Sequence, residues 1–202
     1  MLARIVIASN NPGKLRELSA LLKPLGIETA PQGDFAIPEA EEPHSTFLEN
    51  ALAKARNAAN LAGLPALADD SGLCVPSLFG EPGVHSAYYA GREGNREERD
   101  ARNNAKLVEQ LRATRDRRAF YYCALVVVRH PDDPTPLVAD AQWDGEILLE
   151  PRGSNGFGYD PYFQVAGTRL TAAEMAPEEK NRVSHRGRAL AALAAKLRGS
   201  AA

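Results

Sequence analysis

The sequence predicts an α/β fold in which helices flank a mixed β-sheet. An apolar run at residues 4–9 is typical of a buried strand, and leucines at helical spacing follow it. A second helix-to-strand step ends in the apolar run at residues 66–68. The longest apolar run, residues 119–129, is predicted to be a strand, and residues 137–143 are predicted to pair with it as a β-hairpin after a turn. Because helix-to-strand steps favour parallel pairs and the hairpin is antiparallel, we expect both kinds of pairing in one sheet.

Composition narrows the class of protein. The 202 residues carry a net charge of −2, whereas a general nucleic-acid-binding surface is usually basic, so we expect no nucleic-acid partner. The apolar run near the N-terminus is too short for a signal segment or membrane span. Two cysteines without metal-site spacing fit buried free thiols and the cytoplasm. We predict one domain over residues 1–198 and a frayed tail at residues 199–202.

Two adjacent carboxylates, Asp69 and Asp70, follow the second apolar run, and Ser71 and Gly72 are predicted to turn the chain. Neighbouring side chains on a strand point to opposite faces, so one carboxylate can face a cleft while the other anchors the backbone or a cation. A carboxylate at a strand end beside a hydroxyl suits Mg²⁺ with phosphate. Taken alone, an ordinary surface turn is the simpler interpretation.

The first strand leads into a loop with the sequence SNNPGK. Its residues are Ser9, Asn10, Asn11, Pro12, Gly13 and Lys14. Loop amides and a helix N-terminus attract anions, and Lys14 adds positive charge. The loop lacks the GxxxxGK[ST] pattern of a Walker A motif. A phosphate site and a plain strand-to-helix connection therefore explain it equally well.

An acidic, proline-rich loop at residues 31–45 contains Glu41 and Glu42, which are either solvated or part of a metal site. The capping-box pattern TFLE after it predicts a helix at residues 47–62. Lys54 lies on that helix, and it matters for function only if its face of the helix lines a cleft.

The middle of the chain alternates loop, helix and strand. The glycine-rich segment 72–94 is long enough to be a functional loop. A helix is predicted at residues 95–112, and the Asp-Gly pair at residues 144–145 is predicted to turn the chain before a further strand at residues 146–149. The residues expected on the buried face of this helix are Ala101, Ala105, Val108 and Leu111.

Two aromatic side chains, Phe157 and Tyr159, lie among three glycines in the loop at residues 153–163, beside Asp160. An exposed aromatic ring in such a loop suits stacking on a planar base, although both rings can equally tuck beneath the loop. Further on, the Ser-His-Arg cluster at residues 184–186 opens the last helix, where it suits a bound anion or the polar edge of a base.

Six segments in this order resemble the Ham1-like inosine triphosphate pyrophosphatases. The segments are SNNPGK, TFLENALAKA, ADDSGL, GFGYDPYF, EMAPEEKN and SHRGRAL. They extend over nearly the full chain, and six short motifs in sequence are far more specific than any one of them. The resemblance implies an elongated mixed sheet with helices, two lobes around a nucleotide cleft, and a homodimer. It also implies Mg²⁺-dependent hydrolysis of ITP, dITP and XTP to the monophosphate and pyrophosphate.

The resemblance also implies roles for individual residues. The loop from Ser9 to Lys14 holds the triphosphate, and Lys54 is a second phosphate contact. Asp70 is the general base and a metal ligand, and Asp69 supports it. Glu42 matches the acidic metal position, with Glu41 as the alternative. Ser71 touches the substrate, and the base and sugar pocket is formed by Phe157, Gly158, Tyr159, Asp160, Lys180, His185 and Arg186.

One residue departs from the family pattern, because Tyr88 stands where relatives often have Arg. Any phosphate or dimer contact made by that Arg is therefore in doubt here. A protein that binds nucleotides without hydrolysing them is the alternative function. An enzyme for pyrimidine or modified-base triphosphates is a third.

Overall fold

The computed structural model describes residues 2–199. Six strands and five longer helices are considered below. The strands are β1 (Arg4–Ile7), β2 (Glu28–Pro31), β3 (Ala66–Cys74), β4 (Arg118–Val128), β5 (Leu137–Ile147) and β6 (Phe163–Val165). The helices are α1 (Pro12–Leu22), α2 (Phe47–Ala62), α3 (Arg96–Leu111), α4 (Pro177–Val183) and α5 (His185–Gly199). Gly199 ends α5, and the rest of the predicted frayed tail lies outside the described residues.

The sheet is mixed, as predicted. Its strand order is β2-β1-β3-β4-β5-β6. β1 pairs in parallel with both β2 and β3, whereas β5 and β6 are antiparallel. With helices connecting the parallel strands, this is an α/β fold.

The chain divides into two compact units. Unit 1 contains residues 1–70, 123–141 and 188–202, and unit 2 contains residues 71–122 and 142–187. Each has its own apolar core. The core of unit 1 includes Ile5, Ile7, Leu67, Leu125, Val127 and Leu193, and that of unit 2 includes Leu73, Leu107, Tyr121, Trp143, Ile147 and Phe163. That residues 1–198 form a single domain stays a prediction.

The helix predicted at residues 47–62 is confirmed with the same bounds. The Thr46 hydroxyl accepts a hydrogen bond from the Glu49 amide at its start, and Gly63 adopts a left-handed conformation at its end. A side-chain cap and a residue without a Cβ are strong local signals for where a helix begins and stops.

The turn predicted at Ser71 and Gly72 is wrong, because β3 continues through them to Cys74. Leu73 and Cys74 are buried apolar residues that extend the strand into the core. The two carboxylates lie near the end of β1 and not at the end of β3. β1 stops at Ile7, whose partner is Leu67, so β3 carries Asp69 and Asp70 just beyond the last residue that β1 pairs with.

The turn predicted at residues 144–145 is also wrong, because β5 is one strand that passes through Gly145. A Cβ at Gly145 would lie 2.4 Å from the Gln164 carbonyl oxygen and 2.6 Å from Phe163 Cζ. The glycine is therefore needed for the close approach of β6, and not for a change of chain direction.

The buried face of α3 differs from the prediction. Leu111 is buried as expected, but Ala101 and Ala105 are exposed and Val108 is half-buried. The buried positions are Asn103, Asn104, Leu107 and Leu111. Two buried asparagines concealed the true face from a search for apolar periodicity, since their amides form hydrogen bonds inside unit 2.

Both cysteines are free and buried, as predicted. Within residues 2–199 no helix combines the length and the apolar character that crossing a membrane requires. Three short elements, β2, β6 and α4, were not predicted, because three to seven residues carry too little periodicity to be recognised.

Candidate active site

The loop at residues 9–14 is held by its own side chains. Asn11 caps α1, and its Oδ1 accepts hydrogen bonds from the amides of Gly13 at 2.9 Å and Lys14 at 3.3 Å. The Asn11 amide in turn donates to Ser9 Oγ. α1 begins at Pro12, two residues before Lys14, so the lysine lies in the first turn of the helix.

Lys14 forms an ion pair with the first of the two adjacent carboxylates. Its Nζ lies 2.9 Å from Asp69 Oδ2. The Asp69 carboxylate is only 2% exposed, whereas the Lys14 side chain is partly exposed. A strongly buried carboxylate thus holds a lysine whose side chain is still partly accessible to solvent.

Lys54 lies between two carboxylates. Its Nζ is 2.5 Å from Glu42 Oε1 and 3.2 Å from Asp70 Oδ1. Lys54 comes from α2, Asp70 from β3 and Glu42 from the acidic loop before α2. Of the two glutamates considered for a metal site, Glu42 is therefore the one that the structure brings to Asp70, through their shared contact with Lys54.

Burial and charge act on this cluster in opposite directions. Burial raises the pKa of Asp70 above its ordinary value; the Lys54 ammonium lowers it, and the Glu42 carboxylate raises it further. Burial lowers the pKa of Lys54, but the carboxylates of Asp70, Asp69 and Glu42 together outweigh this, and its pKa is raised. Lys54 is therefore a stable cation next to a carboxylate of increased basicity.

The carboxylates suit a hard cation that also binds phosphate. Asp70 Oδ2 is buried and has no hydrogen-bond partner within residues 2–199. One oxygen of this carboxylate is therefore available as a ligand. No group of three or more His, Cys, Asp or Glu side chains in this part of the chain is placed to hold a metal by itself. Mg²⁺ commonly takes one or two carboxylates and completes its coordination with water and phosphate oxygens, so Glu42 and Asp70 fit that ion.

In unit 2, the two aromatic residues of the loop at residues 153–163 differ in burial. Phe157 is 51% exposed, whereas Tyr159 is buried and its hydroxyl donates to the Ser86 carbonyl oxygen. Asp160 is also buried, where it accepts a hydrogen bond from the Phe157 amide and pairs with Lys180 at 2.5 Å. Phe157 is therefore the ring available for stacking, and Tyr159 and Asp160 shape the loop beneath it.

His185 lies in a stack of aromatic rings within unit 2. Its ring is 4.8 Å from that of Tyr121 with an angle of 9° between the planes, and 6.3 Å from that of Trp143. The neighbouring Arg186 Nη2 donates to Ser71 Oγ at 3.3 Å. The structure thus brings Arg186 to Ser71, which is 115 positions away in the sequence.

The sequence did not mark Arg96 and Arg99 on α3, or Arg92 just before it, as candidates, because charged side chains are usually solvated. The Arg96 guanidinium lies 4.2 Å from the centre of the Phe157 ring. The guanidinium of Arg92 lies 4.3 Å from the Tyr88 ring and that of Arg99 lies 5.5 Å from it. Two guanidinium groups therefore lie against the Tyr88 ring.

Comparisons with known proteins cover nearly the whole chain. The model of the Ham1 family matches residues 5–196. A dITP/XTP pyrophosphatase of Burkholderia pseudomallei is 62% identical over 96% of this chain and 93% of its own length, and one of Chromobacterium violaceum is 59% identical over 100% of both chains. The solved structure of a HAM1 protein from Coxiella burnetii has a TM-score of 0.92 at 48% identity, covering 98% of this chain and 100% of that one.

Proposed function

This chain belongs to the Ham1 family, and from that premise we propose that it hydrolyses deaminated purine nucleoside triphosphates, namely ITP, dITP and XTP, to the monophosphate and pyrophosphate. The observation that carries the proposal is the pairing of two adjacent buried carboxylates, Asp69 and Asp70, with Lys14 and Lys54. Relatives at about 60% identity are named dITP/XTP pyrophosphatases. The proposed substrate is a small molecule from the nucleotide pool. The protein is proposed to bind neither nucleic acid nor a membrane.

The lysines bind the triphosphate. Lys14, in the first turn of α1, and Lys54, on α2, contact phosphate oxygens, together with the loop from Ser9 to Gly13. As the phosphorus–oxygen bond to the pyrophosphate breaks, negative charge develops on the departing group. Two ammonium groups fixed in place by buried carboxylates stabilise that charge without reorganising.

Asp70 orients the attacking water and accepts its proton. Burial raises the pKa of this carboxyl, which makes it a better base than an exposed aspartate. Glu42 and Asp70 would hold Mg²⁺. When bound, the ion supplies positive charge that polarises the phosphoryl oxygens. Asp69 supports the centre by holding Lys14.

The base and sugar are bound by unit 2 residues. Phe157 stacks on the purine, and His185 and Arg186 donate hydrogen bonds to the 6-oxo group. Adenine carries an amino group there, so the same donors would lose their partners, and such mismatches discriminate strongly. The other proposed contacts are Ser71, Gly158, Tyr159, Asp160 and Lys180.

We also propose a homodimer in the cytoplasm. The family resemblance supports the first, and two free, buried thiols are in keeping with the second. Light scattering on the purified protein measures the mass in solution. A mass of one chain at micromolar concentration would contradict the dimer.

A substrate panel tests the proposal. Pyrophosphate release is measured for ITP, dITP, XTP, ATP, GTP and a pyrimidine triphosphate, with Mg²⁺ and with a chelator. We expect fast release from the first three only, and only with the metal. Equal rates on all purines would contradict the selectivity. Calorimetric ITP binding without pyrophosphate release would favour a non-catalytic nucleotide-binding protein instead.

A further inference from the structure

Asn50 is a fully buried polar side chain on α2, with 0% exposure. Both ends of its amide bind the backbone of a single residue, His44. Asn50 Oδ1 accepts a hydrogen bond from the His44 amide at 3.0 Å, and Asn50 Nδ2 donates to the His44 carbonyl oxygen at 3.2 Å. A two-point contact of this kind fixes the orientation as well as the position of the backbone that it holds.

The backbone held in this way belongs to the loop that carries Glu42. Residues 37–43 have no helix or strand, and residues 41–46 are exposed. Loops of this composition are ordinarily mobile. His44 is two residues beyond Glu42, so its fixed backbone limits where the Glu42 carboxylate can lie.

One face of α2 holds both parts of this loop. Asn50 and Lys54 are four residues apart in the helix, a spacing that places side chains on the same face. Asn50 binds the backbone at His44, and Lys54 binds the Glu42 carboxylate at 2.5 Å and Asp70 at 3.2 Å. The helix thus fixes the loop at two points, and the second point also contacts β3.

We propose that Asn50 is a positioning residue for Glu42, holding the acidic loop so that the Glu42 carboxylate stays beside Asp70 for the divalent cation. The inference rests on the proposed role of Glu42 as a metal ligand. Asn50 itself touches neither metal nor substrate. Residues that orient metal ligands through hydrogen bonds commonly change metal affinity by about 10- to 100-fold when they are removed.

The test measures the Mn²⁺ dissociation constant by electron paramagnetic resonance, with a non-hydrolysable dITP analogue present. We expect Asn50→Ala to weaken Mn²⁺ binding by about tenfold. Asn50→Asp keeps the acceptor for the His44 amide and loses the donor to its carbonyl. The carboxylate oxygen that replaces Nδ2 would face the His44 carbonyl oxygen at a buried position. This variant should therefore weaken Mn²⁺ binding at least as much as Asn50→Ala does, and circular dichroism at the assay temperature checks that both variants are folded.

A matched control is available in unit 2. Asn103 is also a buried asparagine, at 2% exposure. It accepts from the Ala90 amide and donates to the carbonyl oxygens of Ser86 and Ala87. Asn103→Ala removes the same kind of backbone contact and should lower thermal stability to a similar extent. If it weakens Mn²⁺ binding as much as Asn50→Ala does, the effect is general destabilisation and the inference is wrong.

A double-variant cycle separates this inference from the function on which it rests. Glu42→Gln should weaken Mn²⁺ binding, and adding Asn50→Ala should then have little further effect, because the ligand to be positioned is already gone. Unchanged Mn²⁺ affinity in Glu42→Gln would contradict the metal role of Glu42. A loss in Glu42→Gln together with wild-type affinity in both Asn50 variants would overturn the positioning role alone.

Discussion

Lys54 Nζ lies 3.2 Å from Asp70 Oδ1, and both side chains are nearly fully buried. The contact joins the middle of α2 to the point at which β3 passes the end of β1. Because the same ammonium also contacts Glu42, one lysine binds both proposed metal ligands. This arrangement places a cation, an available carboxylate oxygen and the Glu42 carboxylate of the acidic loop at one position.

Replacing the proposed base should stop turnover without abolishing binding. Asp70→Asn keeps the shape of the side chain but cannot accept a proton from water, so we expect kcat to fall about a thousandfold. Steady-state pyrophosphate release measures kcat, and calorimetry with dITP measures binding. The control is Asp133→Asn, since Asp133 is 1% exposed and paired with Arg129 but lies outside the proposed site. An active Asp70→Asn enzyme would remove Asp70 as the base.

The Asp70 carboxyl should titrate above its ordinary value of 3.8 in the metal-free protein, because burial raises its pKa. Since folding raises this pKa, the carboxyl favours the folded state below its unfolded-state pKa, and that contribution is lost as the pH rises through the folded-state pKa. Carbon-13 NMR of the Asp70 carboxyl measures the pKa. Lys54→Met should raise it further, because the ammonium lowers it. A pKa at or below 3.8 would contradict the effect of burial.

Breaking the Lys14–Asp69 pair should destabilise the protein. Lys14→Met leaves the buried Asp69 carboxylate without this partner, and losing one member of such a pair costs about 3 kcal/mol. Asp69→Asn in the same chain removes the buried charge, so the double variant should recover part of the loss. Urea unfolding of the wild type, both single variants and the double variant gives the coupling. Strictly additive changes would show that the pair contributes nothing to stability.

Gly187 should not tolerate a side chain. A Cβ there would lie 1.9 Å from the Asn181 carbonyl oxygen, so Gly187→Ala must displace α4 from the start of α5. Overpacking of this kind costs about 2 kcal/mol, and the shift next to His185 and Arg186 should raise the KM for dITP. Gly199→Ala, at the end of the same helix with no atom within 4 Å of the added carbon, is the control. Equal melting temperatures and KM values for the two variants would contradict the close approach.

Elements with strong local signals could be predicted from the sequence. α2 has a capping threonine and a left-handed glycine at its ends, and both act through a few neighbouring residues. β3 and β5 were predicted too short, because Asp, Ser and Gly favour turns when they are exposed. In this fold the same residue types are buried, or allow another strand to approach closely, and that depends on tertiary packing.

Only part of the candidate site could be predicted from the sequence. The motifs pointed to Lys14, Lys54 and Asp70, but not to which carboxylate pairs with which lysine. The contact between His185 and Tyr121 joins rings that are 64 positions apart, and no local pattern predicts it. Asn50 carried no signal either, because a buried asparagine is recognised by its hydrogen bonds and not by periodicity.

The products formed from dITP test the central claim most directly. Phosphorus-31 NMR follows the reaction with Mg²⁺ and identifies each phosphate species as it appears. We predict dIMP and pyrophosphate in equal amounts, with no orthophosphate at early times, and almost no dITP consumed by Asp70→Asn in the time that the wild-type protein needs to consume it. Orthophosphate appearing together with dIDP, or no consumption of dITP by the wild-type protein, would contradict it.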